Sequence, residues 1–511
     1  MALEANVDSK AEDAVSRSTG VAGSDNLYCP DVDTSEVDER KLLWKIDVHV
    51  IPWLALLYFL NFLDRGSIGN ARLYNMEQDL HISDKQYLIA LTVFFFPYAL
   101  FEPASNVVLR RLRPSRWLSF MMLVWGIVMT CHGVLVNYGG LLSLRFLLGL
   151  AEAGLYPGIV FYISCWYKRE ELGTRVAAFF TSATIAGAFS GLLAAAIANM
   201  NGIGGKPGWA WIFILEGIFT VLMAIASFWI IEDFPGSAKF LSEAEKVFVI
   251  RRLQADLQFS AGGEKFKAQY IWQSLTDWKT YLALGIYMGF DGPLFAFSLF
   301  TPTIIAKATA ANLLSVPVYA WACIMTCVSG YLGDRIGSRG YINLYVRLVG
   351  YIILIVSRNA ALSYFAVYLA ASAIYATIPN SVAWVASNVE GSYKRGVTLA
   401  IAIGIGNING AVTSNVYRSN DAPWYRLGHG IVLAYIAIGF FCSLAFMILL
   451  RRENSRRQNG ERDEVIDNLL DEVTKDTDSL SAQAQKNGRY ESVDAARRDK
   501  GDRWSGFRYT L

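Results

Sequence analysis

Twelve times between residues 46 and 450 the chain stays apolar for about the length needed to cross a lipid bilayer. A hydrocarbon core about 30 Å thick takes about 20 apolar residues as a helix. The runs fall near 46–66, 86–108, 117–136, 141–166, 175–199 and 211–231, then near 280–305, 312–332, 341–357, 361–385, 397–417 and 429–450. Lipid offers no hydrogen bonds to an open backbone, so only helices and closed barrels can span it. These runs are too long, and alternate too little, for barrel strands. The expected fold is an all-α polytopic membrane protein with twelve transmembrane helices in two six-helix halves. Composition agrees: the chain is 54% hydrophobic and 18% charged, against about a quarter charged in soluble domains. Many of those charges sit at the two ends.

Other classes are disfavoured by the same reading. Net charge is +2, with no basic stripe for nucleic acid. Five of the six cysteines lie in or beside apolar runs, and none has the spacing of zinc ligands or of a disulfide framework. They read as small buried side chains. No metal-binding histidine cluster, nucleophile elbow or phosphate-cradling loop is found, so neither an enzyme nor a cofactor is expected.

The runs divide six and six. Residues 1–45 form an acidic, Ser- and Asp-rich tail without the apolar core of a signal peptide, expected to be disordered. Residues 46–232 are the first half. Residues 233–279 are a polar linker whose stretch DFPGSAKFLSEAEKVFVIRRLQ reads as an amphipathic helix. Residues 280–451 are the second half, and 452–511 a charged tail expected to be solvated. Short loops rich in Arg110, Arg111, Arg113 and Arg116, then Lys168, Arg169 and Arg175, then Arg335, Arg339, Lys394 and Arg395, alternate with loops poorer in basic residues. That bias places both ends in the cytosol. Two halves of this kind suggest a repeat architecture with a site at the midplane.

Three motifs carry chemistry. GYLGDRIGSRG spans Gly330 to Gly340 between the eighth and ninth runs. Gly330 and Gly333 let helices approach closely. Asp334, Arg335 and Arg339 can form a charge latch at the inner face that holds one conformation, and Gly337 belongs to the same candidate latch. NFLDRGSIGNARL ends the first run and contains Asp64 and Arg65. RFLLGLAEAGLYPG lies in the fourth and contains Arg145 and Glu152, seven residues apart. Two turns of one helix put those two side chains on one face, about 10 Å apart along the axis. Gly149, Gly154 and Gly158 thin that helix for packing. Ionisable groups at such depth are costly and face an internal cavity. Desolvation disfavours a charged carboxylate and a neighbouring guanidinium favours it, so proton and anion binding at such a place are linked. Glu102, Glu216, Asp291, Asn407 and Asn409 are further polar groups at membrane depth. Glu102 reads as a structural partner, and Arg347 as snorkelling from a short ninth span.

The loop motif resembles the major facilitator signature. Together with the two charged spans, GWAWIFILEGIFT at 208–220, NVEGSYKRGVTLAIAIGIGNINGAV at 388–412 and FRYTL at 507–511, it is similar to the fungal allantoate and nicotinate permease group of the anion:cation symporters. The likeness runs from about residue 40 onward. It implies a proton-coupled transporter of a small organic anion, a carboxylate, in the fungal plasma membrane. Carried over residue by residue, Asp64 and Glu152 are the implied proton-coupling groups. Arg65 and Arg145, with Asn407 and Asn409, are the implied substrate-binding groups. A monomer in the bilayer is expected, with protons and the anion as its partners. Two departures stand out: the connection between spans seven and eight, IIAKATAANLLSV, is abrupt, and Ala376 replaces an expected helix-kinking proline. Export of an acidic metabolite by the same fold, or a nutrient transceptor, are the competing readings.

Overall fold

A computed structural model describes residues 28–29, 31–256, 269–305, 311–345, 353, 360–413, 415–416, 426–469 and 478–511. The long helices of the first half are α1 (Glu39–Leu73), α2 (Asp84–Leu112), α3 (Pro114–His132), α4 (Tyr138–Glu152), α5 (Leu155–Ser164), α6 (Leu172–Ala198) and α7 (Gly208–Ile230). Their starts follow local chemistry. The Asp38 carboxylate accepts from the Arg40 and Lys41 amides to open α1. Ser83 and Gln86 form a reciprocal capping box on α2. Pro114 takes the first position of α3, where an amide would have no partner.

The linker supplies α8 (Glu243–Ala255) and α9 (Gln269–Thr276). The second half consists of α10 (Trp278–Ile305), α11 (Ala311–Ile336), α12 (Arg339–Tyr345), α13 (Ala360–Ser387), α14 (Ser392–Thr413) and α15 (Arg426–Gln458). Among the described residues, nine helical stretches are long and apolar enough to cross a membrane. They match the expected spans one, two, four to six, eight and ten to twelve. Helices α3 and α10 stand where spans three and seven are expected. Beyond Tyr345 the expected ninth span, with Arg347, lies outside the described residues save Ile353, and so does the abrupt connection at 306–310.

One helix differs from its expected form. The fourth span is not continuous: it breaks between α4 and α5 at Ala153 and Gly154. Gly154 has φ of 87°, a conformation that costs other residues about 1–3 kcal/mol, and an added Cβ would collide with Ser105. Gly154 is thus the break point of the helix as well as a close-packing position against α2. Gly154→Ala should lower the thermal midpoint of the purified protein. Gly69→Ala, at a helical position with nothing within 4 Å of the new methyl, should leave it unchanged or slightly raised. Equal midpoints for the two variants would refute this role.

In the first half α1 packs on α6 and α7, α3 on α7, and α2 on α4. In the second, α10 packs on α14 and α15, and α11 on α13. The halves meet along two seams, α6 against α11 and α2 against α14. Small residues set both seams: a Cβ on Gly330 would stand 2.5 Å from the Ala177 Cβ, and one on Gly404 would stand 2.8 Å from a Glu102 oxygen. The start of α1, the α5–α6 loop, α8 and the end of α15 share one face, called here the tail face.

After α15 the chain does not behave as the solvated segment expected. It makes a short parallel pair, β1 (Val465–Ile466) with β2 (Arg489–Tyr490), then α16 (Asp478–Asn487) and α17 (Val493–Lys500). Residues 501–511 fold back onto the second half, with Phe507 and Tyr509 buried.

Candidate functional site

The polar centre of the first half is built on two faces of α1. Asn61 and Arg65, four residues apart, look toward α4. Asp64 and Ser67, three apart, look toward α7. On the first face, Arg65 Nε lies 3.0 Å and Asn61 Nδ2 2.9 Å from the same oxygen, Oε2 of Glu152. Glu152 is the last residue of α4, directly before the break, and is fully buried. The Arg65 guanidinium also rests on three rings, 5.0 Å from the centroid of Tyr98, 5.7 Å from Phe94 and 5.8 Å from Phe62. Such a cage holds a cation without neutralising it.

On the second face, Thr220 of α7 donates to Asp64 Oδ2 at 3.4 Å. Ser67 donates to Glu216, one turn before Thr220. Asp64 Oδ1 and Glu216 Oε1 are buried without a protein partner. Glu216, which sequence reasoning left unassigned, belongs to this cluster; its spacing of four from Thr220 was the available signal.

Arg145 is where the observed and expected arrangements part. Arg145 shares a helix face with Glu152, but Glu152 pairs with Arg65 of another helix. Arg145 is 4% exposed, and its Nε and Nη2 have no hydrogen-bond partner. The carboxylates of Asp64 and Glu152 and the phenol of Tyr87 lie within electrostatic range. A buried guanidinium carries five donors in a fixed fork that matches a carboxylate. This one is committed to no described residue.

The second half contributes less to this cluster. Asn407 on α14 donates to Glu102 Oε2 of α2 across the seam, at 3.5 Å. Asn409, two positions on, cannot share its face, and its amide nitrogen is buried without a partner. The two asparagines are therefore not one paired subsite. Glu102 and Asp291 are both buried, each with one unpartnered oxygen.

The loop motif meets the other half at the tail face. Asp334 accepts from the amides of Gly173 at 3.0 Å and Thr174 at 2.6 Å, and so plugs the N-terminus of α6 with a carboxylate. Arg339 donates to Asp334 at 2.6 Å, to Ser387 at 2.8 Å and to the Arg169 carbonyl. An added Cβ on Gly333 would meet Asn380, and Gly337 turns the chain with φ of 68°. Arg335 stands apart: it is exposed and makes no ion pair among the described residues. Arg395 of α14 adds a further tie, donating to the Ser164 carbonyl at 3.3 Å. These bonds tie the two halves together at the tail face. Asp334→Ala removes a helix cap and a charge, worth about 1–2 kcal/mol, so the Gly173 and Thr174 amides should exchange hydrogen roughly five- to thirty-fold faster. Unchanged exchange there would remove Asp334 from the latch.

The chain is similar to known proteins over most of its length. The family model "Major Facilitator Superfamily" matches residues 54–414. An "MFS transporter prlL" from a fungal species is 34% identical, covering 86% of this chain and 92% of its own. The "Major facilitator-type transporter hxnP" of Emericella nidulans is 32% identical, with 86% and 90% covered. The "High-affinity nicotinic acid transporter" of Saccharomyces cerevisiae is 29% identical, with 88% and 85% covered. Among solved structures, the proton:xylose symporter XylE aligns with a TM-score of 0.59 at 15% identity, over 78% of this chain and 95% of its own. A helical bundle of two halves joined along two seams, matched by the family model over more than half its length, identifies a multi-pass membrane transporter and not an enzyme: the chain belongs to the Major Facilitator Superfamily.

Proposed function

We propose that this transporter is a proton-coupled symporter of a small organic anion, a carboxylate of nicotinate or allantoate type. It works by alternating access, as a monomer in a fungal plasma membrane, with the tail face toward the cytosol. The observation that carries the reading is the uncommitted Arg145 guanidinium, buried two turns from Glu152. An unpaired buried charge is expensive, and a carboxylate substrate would relieve it with two parallel hydrogen bonds. The relative that transports nicotinic acid supports a substrate of this chemistry. In this scheme Glu152 and Asp64 take the proton, and Arg65 couples α1 to Glu152.

Purified protein in liposomes with an inward proton gradient tests the reading. Uptake of nicotinate, allantoate, pantothenate and simple monocarboxylates is compared with uptake of neutral amides. Gradient-dependent accumulation of one carboxylate, lost when the gradient is collapsed, is the expected result. A folded protein that moves none of the anions under either gradient direction would overturn it.

A further inference from the structure

The segment 501–511 lies outside everything the transport reading uses, yet it is held like a structural element. Asp502 is 1% exposed. It forms an alternating square of charge with Asp277 and Lys279, two residues apart at the start of α10, and with Lys394 of α14. Lys394 lies 2.7 Å from each acid, and Lys279 lies 3.1 Å from Asp277 and also pairs with Asp502. Burial alone would raise the Asp502 carboxyl, but the two lysines hold it well below the usual carboxylate range. It therefore stays charged and docked throughout the neutral range.

Two asparagines then read the tail backbone. Asn388, directly after α13, accepts from the Thr510 amide at 2.8 Å and donates to its carbonyl at 3.0 Å. Asn454 of α15 does the same to Tyr509, at 2.9 and 2.8 Å. Arg457 binds the Phe507 carbonyl at 2.7 Å. Every one of these anchors belongs to the second half.

The tail touches the first half at a different kind of contact. Arg169, in the loop between α5 and α6, donates to the Arg508 carbonyl at 3.0 Å and to the Ser387 carbonyl at 3.3 Å. Its guanidinium sits 5.0 Å from the centroid of the Phe507 ring. Its own carbonyl receives Arg339 of the latch, and its amide is held by Asp256 at the end of α8. One residue of the first half is thus gripped by the latch, by the end of α13 and by the tail.

We infer that residues 501–511 are a working part of the tail-face gate: a bolt fixed to the second half that catches Arg169 of the first half and holds that face shut. The asymmetry is the argument. On the second half the bolt has a buried ion square and paired backbone bonds. On Arg169 it has one carbonyl and one ring face, a contact that can be made and broken while the halves rock and the anchors stay whole. Substrate identity and proton coupling do not enter, so the inference stands or falls apart from the transport reading.

The test uses full-length protein with its native cysteines replaced and spin labels attached through E170C and R456C, one on each half. Distances are measured in detergent without substrate. The parent should show one short distance. Removing residues 505–511 should add a longer population, and Phe507→Leu, which keeps the bulk but loses the ring face under Arg169, should add a smaller one. Arg169→Ala should open the gate as well, and combining it with the deletion should open it no further. Parent-like distances in the deletion variant would overturn the inference, as would additive opening in the combined variant. If the deletion variant does not fold, Phe507→Leu decides: parent-like distances in that variant overturn the inference.

Discussion

Replacing Arg145 by alanine should weaken anion binding by at least about 30-fold while leaving the unliganded protein as stable as the parent or more so. Losing one member of a buried charged pair costs about 2–5 kcal/mol, which is about 30-fold or more in Kd. The second half of the prediction separates a substrate ligand from a structural one. Arg145 makes no hydrogen bond or ion pair with a described residue, so its removal breaks nothing and relieves a buried charge. Arg65, which carries the ion pair to Glu152, should behave oppositely: Arg65→Ala should lower the thermal midpoint. Arg145→Lys should recover part of the binding, since it restores charge but not the planar fork. Thermal unfolding with and without substrate, alongside binding by calorimetry, measures all three. A midpoint that falls by several degrees in Arg145→Ala, with affinity unchanged, would make Arg145 a packing residue.

Glu152→Gln should abolish proton-driven accumulation while exchange of labelled for unlabelled substrate continues. The amide oxygen of glutamine can accept the same hydrogen bonds from Asn61 and Arg65 that Oε2 of Glu152 now accepts. The geometry at the end of α4 is therefore kept, and only the titratable proton is lost. Accumulation and exchange, measured in the same liposomes, separate coupling from binding. Parent-like accumulation in Glu152→Gln together with its loss in Asp64→Asn would move the coupling site to the α1–α7 face, where Asp64 and Glu216 lie.

Much of this was legible in the residues themselves because lipid is a demanding solvent. A run of about 20 apolar residues has few other fates, so the positions of spans such as 175–199 and 429–450 agree with α6 and α15 to within a few residues at most of their ends. The loop motif was legible for a related reason: glycines and an Asp-Arg pair between two spans serve a close approach that carries charge. Asp334 is indeed placed against the other half. What local spacing could not supply was the identity of partners. Seven residues between Arg145 and Glu152 state only that they share a helix face, whereas an ion pair needs atoms within 4 Å. Which helix brings the opposing charge depends on how α1 and α4 pack.

The break at Gly154 was hidden likewise, because a glycine among small residues reads equally as a packing groove or a hinge. The close Ser105 on α2 is the packing groove, and only the positive φ reveals the break. The tail shows the limit most clearly. Asp502 in a charged stretch looks solvated from its neighbours alone. Its lysines lie more than a hundred residues away in the chain, at positions 279 and 394, and the charges cancel only once folding has gathered them. The sequence by itself determined the spans, the halves and the kinds of groups placed at depth, since hydrophobicity is read residue by residue. Which charges pair, which stay without a partner and where the tail docks depend instead on distances between segments that the chain does not encode locally.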